Sequence, residues 1–124
     1  MITVWCTFQF EGWHCWLDAP DTFAYLRNSH RHTFHVRAEV SVEHDNRDIE
    51  FIEMKRYLEA FATGPESEFV GGPRYPTSLS CEMMAALFVD EIKRVYGPRQ
   101  VIVVTVSEDG ENGATVERIS RIIE

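Results

Sequence analysis

Between His30 and Glu43 the side chains alternate in character almost without interruption. His30, His32, Phe34, Val36, Ala38, Val40 and Val42 fall on one side, and Thr33, His35, Arg37, Glu39, Ser41 and Glu43 on the other. A period of two over so long a run admits one local structure, a β-strand with one face buried and the other wet. Residues 2–10 repeat the pattern, with Ile2, Val4, Cys6, Phe8 and Phe10 set against Thr3, Trp5, Thr7 and Gln9. Strands with one polar face belong to antiparallel sheets, because parallel sheets are usually covered on both sides.

The remaining segments are read around these two strands. Gly12 is expected to break the first strand's pairing and turn Trp13-His14-Cys15-Trp16 inward. Residues 17–29 read as a connection with a short helical turn near Phe23 to Leu26. After a turn at His44 to Asp48, Asp48 is expected to cap a helix carrying Phe51, Met54, Leu58, Phe61 and Ala62 at helical spacing and stopping at Gly64-Pro65. An irregular stretch from Glu66 to Thr77 follows, long enough for a small domain to suggest a functional loop. A second helix starts near Ser80, buries Met84, Leu87, Phe88, Ile92 and Val95, and stops at Gly97-Pro98. Then come a β-branched strand at Val101 to Val106, Ser107-Glu108, a turn at Asp109 to Gly113, and a partner strand from Ala114. The order β-β-α-α-β-β predicts a single α+β domain over residues 1–124, with two helices on one face of a four-stranded antiparallel sheet.

Composition narrows the partners. A formal charge of -8 with no basic run disfavours nucleic acid and anionic membrane surfaces. Apolar runs are too short for a membrane span, and the N-terminus lacks a basic segment followed by an apolar one, so a cytoplasmic location is expected. Cys6, Cys15 and Cys81 make an odd count without a CxxC pair, which suits free thiols in a reducing compartment.

Three of the five histidines carry the chemistry. His30 and His32 are two apart on one strand, so both imidazoles point to the same face. A third histidine, His14, stands at the end of the first strand. Three histidines with a fourth position open to water or substrate form a catalytic zinc pattern, whereas structural zinc is usually closed by four protein ligands. Surface histidines that only hydrogen-bond are the plainer alternative, and HxH spacing alone does not decide between them. His35 and His44 are expected to be surface groups. An HxHxDH hydrolase motif is ruled out because Phe34 occupies the aspartate's place, and a cupin because no glutamate follows His32 at the required distance.

Five blocks in order carry a resemblance. They are Phe8-Gln9-Phe10-Glu11-Gly12-Trp13-His14, His30-Arg31-His32-Thr33-Phe34, Glu50-Phe51-Ile52-Glu53-Met54-Lys55, Leu79-Ser80-Cys81-Glu82 and Val104-Thr105-Val106-Ser107-Glu108. With the β-β-α-α-β-β order, the chain resembles the 6-pyruvoyl tetrahydropterin synthase family and, equally, the related 6-carboxytetrahydropterin synthases of queuosine biosynthesis. The resemblance implies a T-fold that assembles into homo-oligomers, commonly hexamers, with active sites at subunit interfaces. It implies zinc (Zn2+) on His14, His30 and His32, and a pterin ring or purine-like ligand anchored by Glu108 with support from Ser80 and Glu82. A carboxylate suits that anchor, since two oxygens can accept from the adjacent donors of a 2-amino-4-oxo pyrimidine edge.

Departures from the family pattern fall on its proton-transfer groups. Leu26 stands where the resemblance places a general-base cysteine, and Glu66 and Ser67 stand where it places an Asp-His pair. Cys15, next to a proposed ligand, is one replacement base, although a buried free thiol is its plainer role. Glu66, Glu68, Asp18 and Asp21 are carboxylates that a partly dry pocket could tune for the task. The implied activity is a carbon–oxygen lyase reaction on dihydroneopterin triphosphate or a related pterin, or else a catalytically silent protein that binds such a ligand or serves as an oligomeric scaffold.

Overall fold

The computed structural model describes residues 1–120. Strand β1 (Ile2–His14) and strand β2 (His30–Val42) flank a 3-10 segment at Asp21–Arg27; helices α1 (Phe51–Thr63) and α2 (Cys81–Tyr96) follow, then strands β3 (Val101–Glu108) and β4 (Asn112–Ile119). The strands form one antiparallel sheet in the order β1-β2-β3-β4. Both helices pack on it, α1 against β1 and α2 against β3 and β4. The α+β architecture expected from the pattern, four antiparallel strands with the helices on the sheet, is what the chain forms.

Alternation decides which face is buried. Cys6, Phe8 and Phe10 of β1, Phe34, Val36, Ala38 and Val40 of β2, and Ile102, Val104 and Val106 of β3 all point under the helices and are buried. The helices answer with Met54, Leu58 and Ala62 from α1 and with Cys81, Met84, Ala85, Phe88, Val89 and Ile92 from α2. The stripes are narrower and slightly rotated from the sequence reading. Phe51 and Val95 are exposed, while Leu87 and Phe61 pack at the core's margin. Those four obey the helical period but sit where the stripe runs off the sheet. The outer face is polar, with Thr3 donating to Glu39 at 2.7 Å and the Arg37 guanidinium 4.9 Å above the Trp5 ring.

Three local expectations are corrected. Gly12 does not interrupt the ladder: β1 pairs with β2 from Ile2↔Val42 through Gly12↔His32 to His14↔His30. Its missing side chain makes room instead, because a Cβ there would lie 2.9 Å from the Phe69 carbonyl oxygen and 3.1 Å from the Phe34 ring. The cap of α1 is Glu50, which accepts from the Ile52 and Glu53 amides, and not Asp48. Asp48 accepts from the Glu43 amide and pairs with Arg99 at 2.7 Å, tying the end of β2 to the segment after α2. Finally, β4 begins at Asn112, so the hairpin turn is only Asp109-Gly110-Glu111.

The irregular stretch before α2 is anchored at both levels. Phe69 is buried and stacks on Phe88 with ring centroids 4.7 Å apart. Beyond it the backbone lies along the end of β1: Trp13 donates to Val70 at 2.7 Å, Thr77 to Trp13 at 3.0 Å, and Cys15 to Thr77 at 3.0 Å. These bonds deliver the start of α2 to the end of the sheet that carries the histidines.

Candidate metal centre

Register places the site. Because His14 pairs with His30 across the last rung of the β1–β2 ladder, the two imidazoles are direct cross-strand neighbours, with ring centroids 4.4 Å apart. His32 projects from the same face two residues on, 5.2 Å from His30 and 5.4 Å from His14. On the other side of β2, Phe34 pairs with Glu108, so the last residue of β3 lies beside the cluster. One donor atom from each of His14, His30, His32 and Glu108 lies within 4.8 Å of all the others.

The proton positions follow from the partners. The His14 Nδ1 faces the Leu79 carbonyl at 3.0 Å, and the His30 Nδ1 faces the Asn28 carbonyl at 2.8 Å. A carbonyl can only accept, so each Nδ1 carries its proton and donates. The His32 Nδ1 meets the Asp109 carboxylate at 2.7 Å. That pairing holds the Asp109 carboxyl below the usual range, with the Thr33 amide adding to it, so Asp109 is the acceptor here as well. All three rings therefore take the Nδ1–H tautomer, which leaves the Nε2 lone pair for a metal; this is how ligand histidines are held in metal sites.

His14 makes the case sharpest. The residue is 7 % exposed, and its Nε2 is buried without a hydrogen-bond partner. The nearest charged atom is the Glu108 Oε2 at 3.0 Å, which also lies 3.8 Å from the His32 Nε2. Protonating His14 would reconcile it with the carboxylate, but burial is the largest influence on this group and, with the neighbouring histidines, lowers its pKa despite the opposing pull of Leu79 and Glu108. A lone pair and a carboxylate oxygen facing each other at that distance repel. A cation between them would relieve that repulsion, and the three imidazoles with the carboxylate beside them make a donor group that could hold a metal ion.

The cluster opens on a cavity of about 550 Å³ whose walls include His14, His30 and Glu108. That volume is in the range of small-molecule sites. Ser80, Glu82 and Cys15, expected near the site, all line it. Ser80 is also the cap of α2, its hydroxyl accepting from the Met83 amide at 3.1 Å. Leu26 lines it too, an apolar side chain in the wall. Glu66 does not: with Glu68 it lines a different groove, between the end of α1 and Leu87, Glu91 and Arg94 of α2. The reason is the anchoring of Phe69, which swings the preceding residues away from the sheet end. Asp18 lies outside the cavity as well, and Asp21 is paired with Arg27 at 2.9 Å. Among the cavity residues, Cys81 was not anticipated; burial, then the nearby Glu108 and Glu82, push its thiol up to about 12, so it is a neutral group at physiological pH. His35 is half-buried on the outer face and His44 is exposed.

Asp109 was also missed by sequence reasoning. The Asp-Gly pair marked the turn, but only the β2–β3 register shows that this turn abuts His32. Compared with known proteins, the chain is matched by no family model and by no curated protein. No helix among the described residues is long and apolar enough to cross a membrane.

Proposed function

We propose that this chain is a zinc-dependent protein of the 6-pyruvoyl/6-carboxy-tetrahydropterin synthase type, acting on dihydroneopterin triphosphate or a related reduced pterin. The observation that carries the reading is the set of three imidazoles, each with its Nδ1 at an acceptor, that with Glu108 bring one donor atom apiece within 4.8 Å of one another. The five-block sequence resemblance supplies the substrate class. His14, His30 and His32 would hold the ion, with the Glu108 carboxylate within reach of it. Bound zinc would polarise a ligand's hydroxyl or carbonyl oxygen and so ease loss of a neighbouring proton.

The chain's own groups do the rest. Glu108 accepts from the ring's amino and ring N–H groups, and the Asn112 amide, which donates to its Oε1 at 3.2 Å, steadies the carboxylate. Glu82 and Ser80 support the ring from the start of α2. Among the described residues lining the cavity there is no lysine or arginine, so the contacts this chain offers a ligand there are to its ring and hydroxylated carbons. Cys15 is the expected base that lies in the cavity wall. The outer strands β1 and β4 each pair with one neighbour in the sheet, which leaves backbone edges that further copies of the chain could take in a homo-oligomer. Three buried free thiols suit a reducing cytoplasm.

A second reading, a catalytically silent pterin or guanine-like ligand binder or scaffold, is favoured by Leu26 in the cavity wall and by Glu66 outside it. One set of measurements separates the two: metal content per chain, binding of a reduced pterin, and release of triphosphate from dihydroneopterin triphosphate. About one zinc per chain with turnover supports the synthase; zinc and ring binding without turnover supports the binder; neither zinc nor ring binding sinks both. Glu108→Ala is expected to keep its metal on the three remaining imidazoles and lose ring binding, whereas His32→Ala loses metal first.

A further inference from the structure

Of the three Nδ1 acceptors at the metal centre, two are backbone carbonyls, Leu79 and Asn28, fixed by the path of the chain. The third is a side chain. Asp109 Oδ2 accepts from His32 Nδ1 at 2.7 Å, while its Oδ1 accepts from the Thr33 amide at 3.0 Å and its own amide donates to the Thr33 carbonyl at 2.7 Å. The β2–β3 ladder ends at Phe34↔Glu108, so these bonds carry the pairing one step past the last rung. Asp109 itself has φ of 58°, in the left-handed region that aspartate and asparagine tolerate better than other side chains.

We propose that Asp109 is a positioning residue of the metal centre: through the hairpin turn it fixes the orientation and tautomer of His32 and makes its Nε2 a stronger donor. This rests on the metal-centre reading above. The physical reason lies in the charge. A carboxylate at the far nitrogen favours the Nδ1–H form and raises the electron density at Nε2, and such outer partners are worth roughly 10–100-fold in metal affinity. A neutral amide in its place, as in Asp109→Asn, does not substitute. If the amide oxygen faced His32, the amide NH2 would face the Thr33 backbone N–H, donor against donor. If the amide turned over, its NH2 would face the His32 Nδ1, which would then have to accept, moving the proton to Nε2 and removing the ligand lone pair.

Asp109→Asn, which keeps size and tolerance of positive φ, and Asp109→Gly, which keeps the turn and deletes the side chain, test this beside wild type and His32→Ala. Zinc affinity is measured by competition with a chromophoric chelator. The His32 tautomer is read in the metal-free protein from imidazole 15N shifts, a readout independent of both metal and activity. Expected are roughly 10–100-fold weaker zinc binding in both Asp109 variants and loss of the pure Nδ1–H signature of His32. Affinity within about twofold of wild type, or a loss with the His32 tautomer unchanged, overturns the positioning role while His32→Ala still shows the metal centre to be real. Zinc binding that is absent in wild type, or undiminished in His32→Ala, overturns the metal centre itself and the inference with it.

Discussion

At the scale of single residues, the site depends on small groups whose value comes from what they leave room for. Gly12 is the clearest case. Any side chain there meets the Phe69 carbonyl and the Phe34 ring, and the backbone oxygen has little freedom to give way. Gly12→Ala is therefore expected to cost about 1–3 kcal/mol, as overpacking in a core does, and to push the 66–77 segment off the end of β1. Chemical denaturation gives the loss. Backbone 15N shifts at Trp13, Cys15 and Thr77 show whether the hydrogen bonds between that segment and β1 loosen. A variant as stable as wild type would mean that the contact yields more easily than its geometry suggests. His14 is legible in the sequence only as a histidine at a strand end; that its Nε2 is buried and unpartnered depends on Leu79, sixty-five residues away, accepting from the other nitrogen.

At the scale of elements, helix ends and turns hold the sheet and helices in register. The Asp48–Arg99 pair links the loop before α1 to the segment after α2. The Glu43 amide and then Arg99 hold the Asp48 carboxyl below its usual range. A carboxylate with a depressed folded-state pKa stabilises the fold above its unfolded value, near pH 4, and that contribution is lost as pH falls through the folded value. Arg99→Ala should thus lower the melting temperature near neutral pH, and the gap to wild type should shrink below about pH 4. Thermal melts from pH 3 to 7 measure it; a gap that stays constant with pH would assign the effect to lost packing of the arginine stem. The sequence placed Asp48 in a turn and made it a helix cap. The turn is right, but capping falls to Glu50, because Asp48 is drawn to an arginine fifty-one positions on.

At the scale of the whole molecule, the histidine–carboxylate cluster draws its members from the ends of three strands. His14 ends β1, His30 and His32 begin β2, and Glu108 ends β3. An ion bound to the folded chain and not to the unfolded one stabilises it by mass action, about 2.7 kcal/mol at a hundred times its dissociation constant. Adding zinc to metal-stripped protein should raise the melting temperature by several degrees, and by much less in His32→Ala. Equal shifts in the two proteins would point to zinc bound elsewhere.

What the sequence determined by itself was local and periodic. A period of two over residues 2–10 and 30–43, a helical period before Gly64 and Gly97, and an Asp-Gly turn are enough to give the strands, the helices and the buried face, since each rests on interactions within a few residues. HxH spacing likewise put two imidazoles on one face. Tertiary structure alone decided how strands of distant origin align. The register setting His14 opposite His30 and Phe34 opposite Glu108 converts separate histidines into a centre. The same register brings the Asp109 turn to His32, and Phe69 in the core carries Glu66 away from the cavity. These outcomes follow from long-range packing and backbone pairing, whose partners lie tens of residues apart and leave no mark on local periodicity.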